Sequence, residues 1–450
     1  MAGVGDRHCK SLVGALLLLL SVAQPGNAYA VPAYAEQTAQ PCSACHIVGF
    51  GPQLTPFGRK FKLEGYTMLG TQDFVLPISA MAVASYVETS ADQPAPPAPH
   101  YATNDNVTLD QANLFVAGGF GDHFGSFAQF TYDGVGRSLS WDNLDLRATD
   151  RTKLFGQNVL LGLSLNNNPG VQDPWNTMPA WGFPYTDSDL SPAPAAGTVI
   201  GGALAQSVLG VSAYAWWSAK FYTEASLYWT PGRGFLRAMG VDADEGGGVL
   251  ASAAPYFRVA YEQQYGDQNF DVGTFAFFPS LYPAGDHSTG TSDRYSDLGI
   301  DASYQFLGSG ENIYQINAIY THEAQSLNAS ALLGASSRSD SLDDVRADVS
   351  YYWRNLVGGT VGYFDTWGTT DPLLYNGNTT FKPDSSGFLF QLDATPFANE
   401  PSSLGPRFNI RVGAQYRVFS QFDGAASNYD GKGHNASGNE TLRVFTWVAF

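Results

Sequence analysis

The sequence predicts an all-β protein, an antiparallel outer-membrane β-barrel of about sixteen strands, preceded by a short segment with a different pattern. Three observations predict it. Only 14% of the 450 residues are charged, against about 25% in an ordinary soluble chain. Aromatic residues reach 14%, and there are 49 glycines. Beyond residue 30 no apolar run approaches the roughly 20 residues that a membrane-crossing helix needs. Stretches of about ten residues that alternate apolar and polar recur instead, as in barrels whose strands face lipid on one side and a lumen on the other. The formal net charge of −18 argues against nucleic acid, whose binders carry a basic face. The apolar content also rules out a disordered chain.

Residues 1–30 read as an export signal. Arg7 and Lys10 give the positive start, Ser11 to Ala23 the apolar stretch, and Ala28-Tyr29-Ala30 a cleavage site, which is the pattern of a secretory signal. Ala33-Tyr34-Ala35 is a second possible site. Cys9 precedes the apolar stretch and leaves with the signal.

Two cysteines then remain, Cys42 and Cys45, and His46 follows directly. Cys-Ser-Ala-Cys-His is the attachment signature of a c-type haem. Two thiols about one turn apart reach the two vinyl groups of one porphyrin, and the adjacent imidazole supplies the proximal iron ligand, so His46 is the expected metal ligand. A disulfide would leave the histidine unexplained. A zinc site wants a second ligand pair, and a thioredoxin-like pair wants a βαβ context. The chain offers neither.

For the distal ligand the candidates are methionines. Met81 sits where this segment meets the strand pattern, and Met68, 22 residues after His46, is the runner-up. Met178 and Met239 lie far away in sequence, and His100 and His123 are weaker alternatives. Ordinary packing is the competing role for each methionine. The segment 31–77 is too short to bury a porphyrin with a core of its own, so it must lean on the rest of the chain. Arg59, Lys60 and Lys62 form its basic cluster. They suit haem propionates or, equally, a solvated helix face.

From 78 to 450 the period-two pattern takes over. In Ile313 to Tyr320, Tyr314, Ile316, Ala318 and Tyr320 share one face, and Gln315 and Asn317 the other. Sixteen strands are expected to begin near Met81, Asn113, Gly125, Ser138, Asn158, Val208, Phe221, Tyr256, Asn269, Tyr295, Asn312, Val345, Leu356, Gly387, Arg407 and Leu442. Connections near Asp122, Gly156, Ala219, Asp267, Ser309 and Asn355 are short. Those at 90–111, 168–205, 231–254, 279–293, 324–343, 368–386 and 422–440 are long, and the turn near Asp133 breaks the alternation by being short. Short turns on one side and long loops on the other are the barrel arrangement, and an even count puts both termini on the short-turn, periplasmic side. The chain closes on Leu442 to Phe450, a strand with a terminal Phe of the kind read by barrel-assembly machinery. Residues 91–100 are rich in proline. Residues 173–185 are rich in proline and aromatics, a composition that favours a self-packed loop over one folded inward.

Together these features resemble the outer-membrane iron-oxidising cytochrome c–porin fusion family. The resemblance is carried by Pro41-Cys42-Ser43-Ala44-Cys45-His46, by Phe57-Gly58-Arg59-Lys60-Phe61-Lys62 with Gly65-Tyr66, and by a barrel of porin size following them. It implies haem attachment at Cys42 and Cys45, axial ligation by His46, and electron uptake from extracellular Fe(II) or another donor. A periplasmic carrier, a soluble cytochrome or copper protein, would receive the electrons. Ferric iron is poorly soluble near neutral pH, so a redox centre at the outer membrane leaves the product outside. The competing readings are a diffusion porin with the haem segment as plug or sensor, and an electron exporter to outside acceptors.

Overall fold

The computed structural model describes residues 31–70, 75–241, 249–400, 402, 404 and 407–450; the expected export signal lies outside them. Sixteen long strands form one closed antiparallel barrel: β1 Ile78–Thr89, β2 Asn106–Phe120, β3 Phe124–Asp133, β4 Ser138–Leu154, β5 Gln157–Asn166, β6 Leu209–Trp217, β7 Phe221–Trp229, β8 Ala254–Tyr265, β9 Gln268–Phe277, β10 Asp293–Phe306, β11 Asn312–Ser326, β12 Ser339–Trp353, β13 Val357–Gly368, β14 Ser385–Ala394, β15 Asn409–Gln421 and β16 Thr441–Ala449. The barrel closes where β1 pairs β16, from Met81↔Ala449 to Thr89↔Thr441. Closure leaves no sheet edge, which a bilayer would penalise heavily. Two further short strands, Val249–Leu250 and Ser280–Tyr282, pair within the long loops.

Two strands begin six or seven residues earlier than their apolar alternation predicts. β2 starts at Asn106 and β12 at Ser339, because their first residues place Thr108, Asp110, Asp340 and Asp344 inward. The lumen accepts such polar side chains, so the strands extend past the apolar pattern.

The distribution of polarity is inverted relative to a soluble protein. On β11, Tyr314, Ile316 and Tyr320 are exposed, and Gln315 and Thr321 are buried. On β16, Leu442 and Val444 face out, whereas Arg443 is 1% exposed. Outward apolar side chains in continuous rows are the lipid-facing surface of an outer-membrane barrel.

Both ends of the lumen are occupied. From the short-turn end come α1 (Pro32–Thr38), α2 (Cys42–Cys45) and α3 (Pro56–Leu63). This segment touches the wall all the way round. Gly119 N donates to Gln37 Oε1 at 2.8 Å, Tyr66 OH to Asp145 Oδ2 at 2.7 Å and Tyr214 OH to the Leu63 carbonyl at 2.7 Å. Further round, Arg59 Nη2 donates to Asn269 Oδ1 at 2.5 Å and Arg411 Nη1 to the Phe50 carbonyl at 3.2 Å. The connection after β14 meets the segment at Ala398, whose carbonyl accepts from Ser43 N at 3.3 Å.

From the long-loop end comes the 167–208 connection, and it corrects the self-packed expectation. Asp173 pairs with Arg258 at 3.1 Å, Thr177 Oγ1 donates to Asp301 at 2.6 Å, and Ile200 N donates to Asp297 at 2.8 Å. Arg443 Nη1 donates to the Thr186 carbonyl at 3.0 Å. The loop satisfies its polar groups on lumen side chains of distant strands, and those partners are invisible in the loop's own composition.

Candidate functional site

The Cys-Ser-Ala-Cys stretch is one helical turn, α2, started by Pro41, whose fixed backbone suits a helix start. His46 leaves it in extended geometry, with φ −126° and ψ 144°. A short return follows, in which Ile47 N donates to the Gln53 carbonyl at 2.9 Å. Thr55 then caps α3, its Oγ1 accepting from Gly58 N at 3.2 Å, with Pro56 at the first position; both are helix-start signals. The same hydroxyl donates to the Ala44 carbonyl at 2.5 Å, tying α3 to the motif. At Gly58 the two backbones meet so closely that a Cβ would lie 2.3 Å from the Cys45 carbonyl oxygen.

The motif faces a cavity of about 270 Å³. Cys45 and His46 line it, with Phe50, Phe61, Met81 and Trp447 among its apolar walls. Cys42 does not line it; it is fully buried, in the same cluster as Phe50, Met81 and Trp447. Asn409 Nδ2 approaches Cys42 Sγ at 3.5 Å. The two thiols are free. Burial pushes Cys45 up to about 12 and Cys42 further up, so both are neutral thiols, without the depressed value of a nucleophilic cysteine. Burial likewise pushes the His46 imidazole down to about 4, against a weaker opposing pull from the Gly51 carbonyl. His46 is therefore neutral at physiological pH, the form that ligates a metal. Its Nδ1 is buried without a hydrogen-bond partner.

Among the methionines considered for the distal position, Met81 is 6% exposed and lines the cavity. Met68 does not line it; its carbonyl accepts from Gln37 Nε2 at 2.9 Å. Met178 is buried beside Arg258, with Sδ 3.3 Å from Nη1. His100 is exposed in the β1–β2 loop, and His123 Nδ1 sits 2.9 Å from the Thr149 carbonyl in the β2–β3 turn; neither lines the cavity.

The basic cluster splits three ways. Arg59 is spent on the wall, with Asn269, Gln305 and Glu262 as partners. Lys60 is the one solvated member, 3.9 Å from Glu64. Lys62 is buried and lines the cavity. Its ammonium donates to the Val171 carbonyl and Asn176 Oδ1, each at 2.8 Å, and lies 5.0 Å from the Trp181 ring centroid. A solvated helix face therefore describes Lys60 alone.

Sequence reading missed Asn409, Trp181 and Tyr185. Asn409 opens a strand without any local mark of a role. Trp181 and Tyr185 belong to the loop expected to pack on itself, yet both line the cavity.

These residues fit a c-type haem. Two free thiols one helical turn apart, a buried neutral imidazole with an unpartnered nitrogen, and an aromatic cavity with a thioether on its wall are a donor set for a covalently attached porphyrin. Cys42 and Cys45 would hold it, and His46 and Met81 would be the axial ligands.

No protein-family model matches the chain, and no curated protein matches it in sequence. Solved structures similar to it are outer-membrane proteins. OmpF of Salmonella typhi, in complex with daunomycin, is 12% identical, with 83% of this chain and 97% of that one covered and a TM-score of 0.46. The outer-membrane channel DcaP of Acinetobacter baumannii is 11% identical, with 83% and 96% covered and a TM-score of 0.46. An anion-selective porin from Comamonas acidovorans is 12% identical, with 83% and 98% covered and a TM-score of 0.43. The class itself rests on strand pairing and polarity: the chain is a porin-like outer-membrane β-barrel with sixteen long strands.

Proposed function

We propose that this protein is an outer-membrane electron conduit. It oxidises extracellular ferrous iron through one covalent haem c and passes the electrons to a periplasmic carrier, a soluble cytochrome or copper protein. The observation that supports this reading is a single cavity inside a closed barrel, lined together by Cys45, His46 and Met81. A haem c bound there would supply a one-electron couple.

The chain's own residues do the remaining work. Cys42 and Cys45 would hold the haem covalently, and His46 and Met81 would ligate its iron, with Met68 as the runner-up for the distal position. Methionine ligation and a dry aromatic wall both favour the reduced state, as accepting electrons from a weak reductant requires. Lys62 is the cavity's cation and would meet a propionate. The wall contacts of residues 31–70 hold the motif at the short-turn, periplasmic mouth, where a carrier reaches it.

A second reading keeps the barrel as a channel, with the N-terminal segment as a plug or sensor. Its support is the segment and the 167–208 loop entering the lumen from opposite ends. A different outside donor, or electrons flowing outward, would use the same site. The test of the common core is haem staining on a denaturing gel. The Cys42→Ala/Cys45→Ala double variant should lose all stain, and stain retained by that variant refutes covalent attachment.

A further inference from the structure

A second cavity, of about 280 Å³, lies beyond the loop stretch 181–185, against β11 to β15. Pro52, Asn176, Trp181, Gly182, Pro184 and Tyr185 line both cavities, so one thickness of chain separates the second cavity from that of His46. Three carboxylates line the second cavity. Asp187 pairs with Arg417, and Asp344 pairs with Arg346 at 3.1 Å. Asp348 differs: it is 7% exposed, and among the described residues no lysine or arginine forms an ion pair with it. Its oxygens accept from Asn317 Nδ2 at 3.1 and 3.2 Å.

One further oxygen at this cavity lacks a partner. Gln53 is 3% exposed and its Oε1 has no hydrogen bond; its Nε2 donates to Ser350 Oγ at 3.2 Å and to Gln315 Oε1 at 3.4 Å. The buried Tyr185 hydroxyl faces Asp348 and is the second polar group, after Asn317, that interacts with its carboxyl. A buried carboxylate with no direct ion pair and a buried amide oxygen with no donor are each costly unless something fills the site. One class of ligand satisfies both: a cation that takes oxygen ligands and keeps part of its water shell.

We propose that this cavity binds a hydrated divalent cation, with Asp348 as its anionic ligand and Gln53 Oε1 as a neutral one. Under the conduit reading, on which the identity of the cation rests, this is where ferrous iron docks. Trp181 and Tyr185, which line both cavities, form the partition that keeps the ion out of the cavity of His46 and Met81. Gln53 also joins the two sites, because it lies in the same short return that positions His46.

Manganese(II), redox-inert toward the haem under these conditions, is the probe, titrated by electron paramagnetic resonance into the purified full-length protein. One saturable site is expected. Asp348→Asn should weaken it by about tenfold or more, with the haem spectrum unchanged. Gln53→Glu adds a second carboxylate and should tighten binding, an effect that damage to the fold does not mimic. Absence of a saturable site, or equal affinity in wild type, Asp348→Asn and Gln53→Glu, overturns the proposal. Manganese binding in a protein whose haem ferrous iron fails to reduce supports the site and removes the iron reading. Ferrous reduction without a manganese site does the reverse.

Discussion

Replacing Gly58 by alanine tests whether α3 sets the position of the haem motif. The added Cβ would lie 2.3 Å from the Cys45 carbonyl oxygen, 3.0 Å from its carbonyl carbon and 3.2 Å from its Cα, where ordinary contact begins at 3.4 Å. All three are backbone atoms, so no side chain can swing away. The helix and the motif turn must part by about 1 Å, at an overpacking cost of roughly 1–3 kcal/mol. Alanine's better helix propensity returns about 1 kcal/mol, leaving a net loss of about 1 kcal/mol confined to the segment. If that loss falls wholly on the reduced state, the midpoint potential drops by roughly 40 mV. The assay is redox titration with optical spectra of the axial ligation, alongside heat-modifiable gel mobility to show an intact barrel. Gly234→Ala is the control, because a Cβ there meets nothing within 4 Å. Wild-type spectrum and potential in Gly58→Ala would refute the reasoning.

The methionines separate by the same titration: Met81→Ala should lower the potential and slow reduction by ferrous iron, and Met68→Ala should change little, with the opposite ranking transferring the ligand to Met68. Lys62 carries a pH prediction. Burial, reinforced by Arg147 and opposed by Asp145, Asp173 and Glu224, pushes it down to about 7. Without a haem its charge is thus present below about pH 7 and lost above; a propionate beside it would move that midpoint upward, and the potential should fall through it by at most about 59 mV per unit. The Lys62→Met variant should be flat across the same range. Because the unfolded chain keeps that proton up to the usual lysine range, Lys62 also makes the fold gain stability as pH rises from about 7, an increment that Lys62→Met should remove in denaturant titrations.

The barrel was legible because lipid imposes a strict pattern. Tyr314, Ile316 and Tyr320 can face nothing but hydrocarbon, and the alternation of Leu442 to Phe450 reads the same way. The Cys-Ser-Ala-Cys-His motif stood out because three residues in fixed order mark it, and the structure brings Cys45 and His46 to one cavity. The partners of that motif were not legible. Asn409 reaches Cys42 across 367 positions of sequence, and Arg59 finds Gln305 across 246. The lumen wall is assembled from every strand, so no local pattern records which inward side chains meet. The 167–208 loop failed for the same reason, since Arg258 and Asp301 hold it from strands far downstream.

The proposed function stands or falls on electron uptake from ferrous iron at a covalent haem inside the barrel. Its most direct test is anaerobic mixing of the purified oxidised protein with ferrous iron, followed by absorption of the haem bands at acidic and neutral pH. The account predicts the bands of the reduced haem, appearing at a rate that rises with iron concentration. An unchanged oxidised spectrum across that pH range, in a protein that dithionite still reduces, would contradict it.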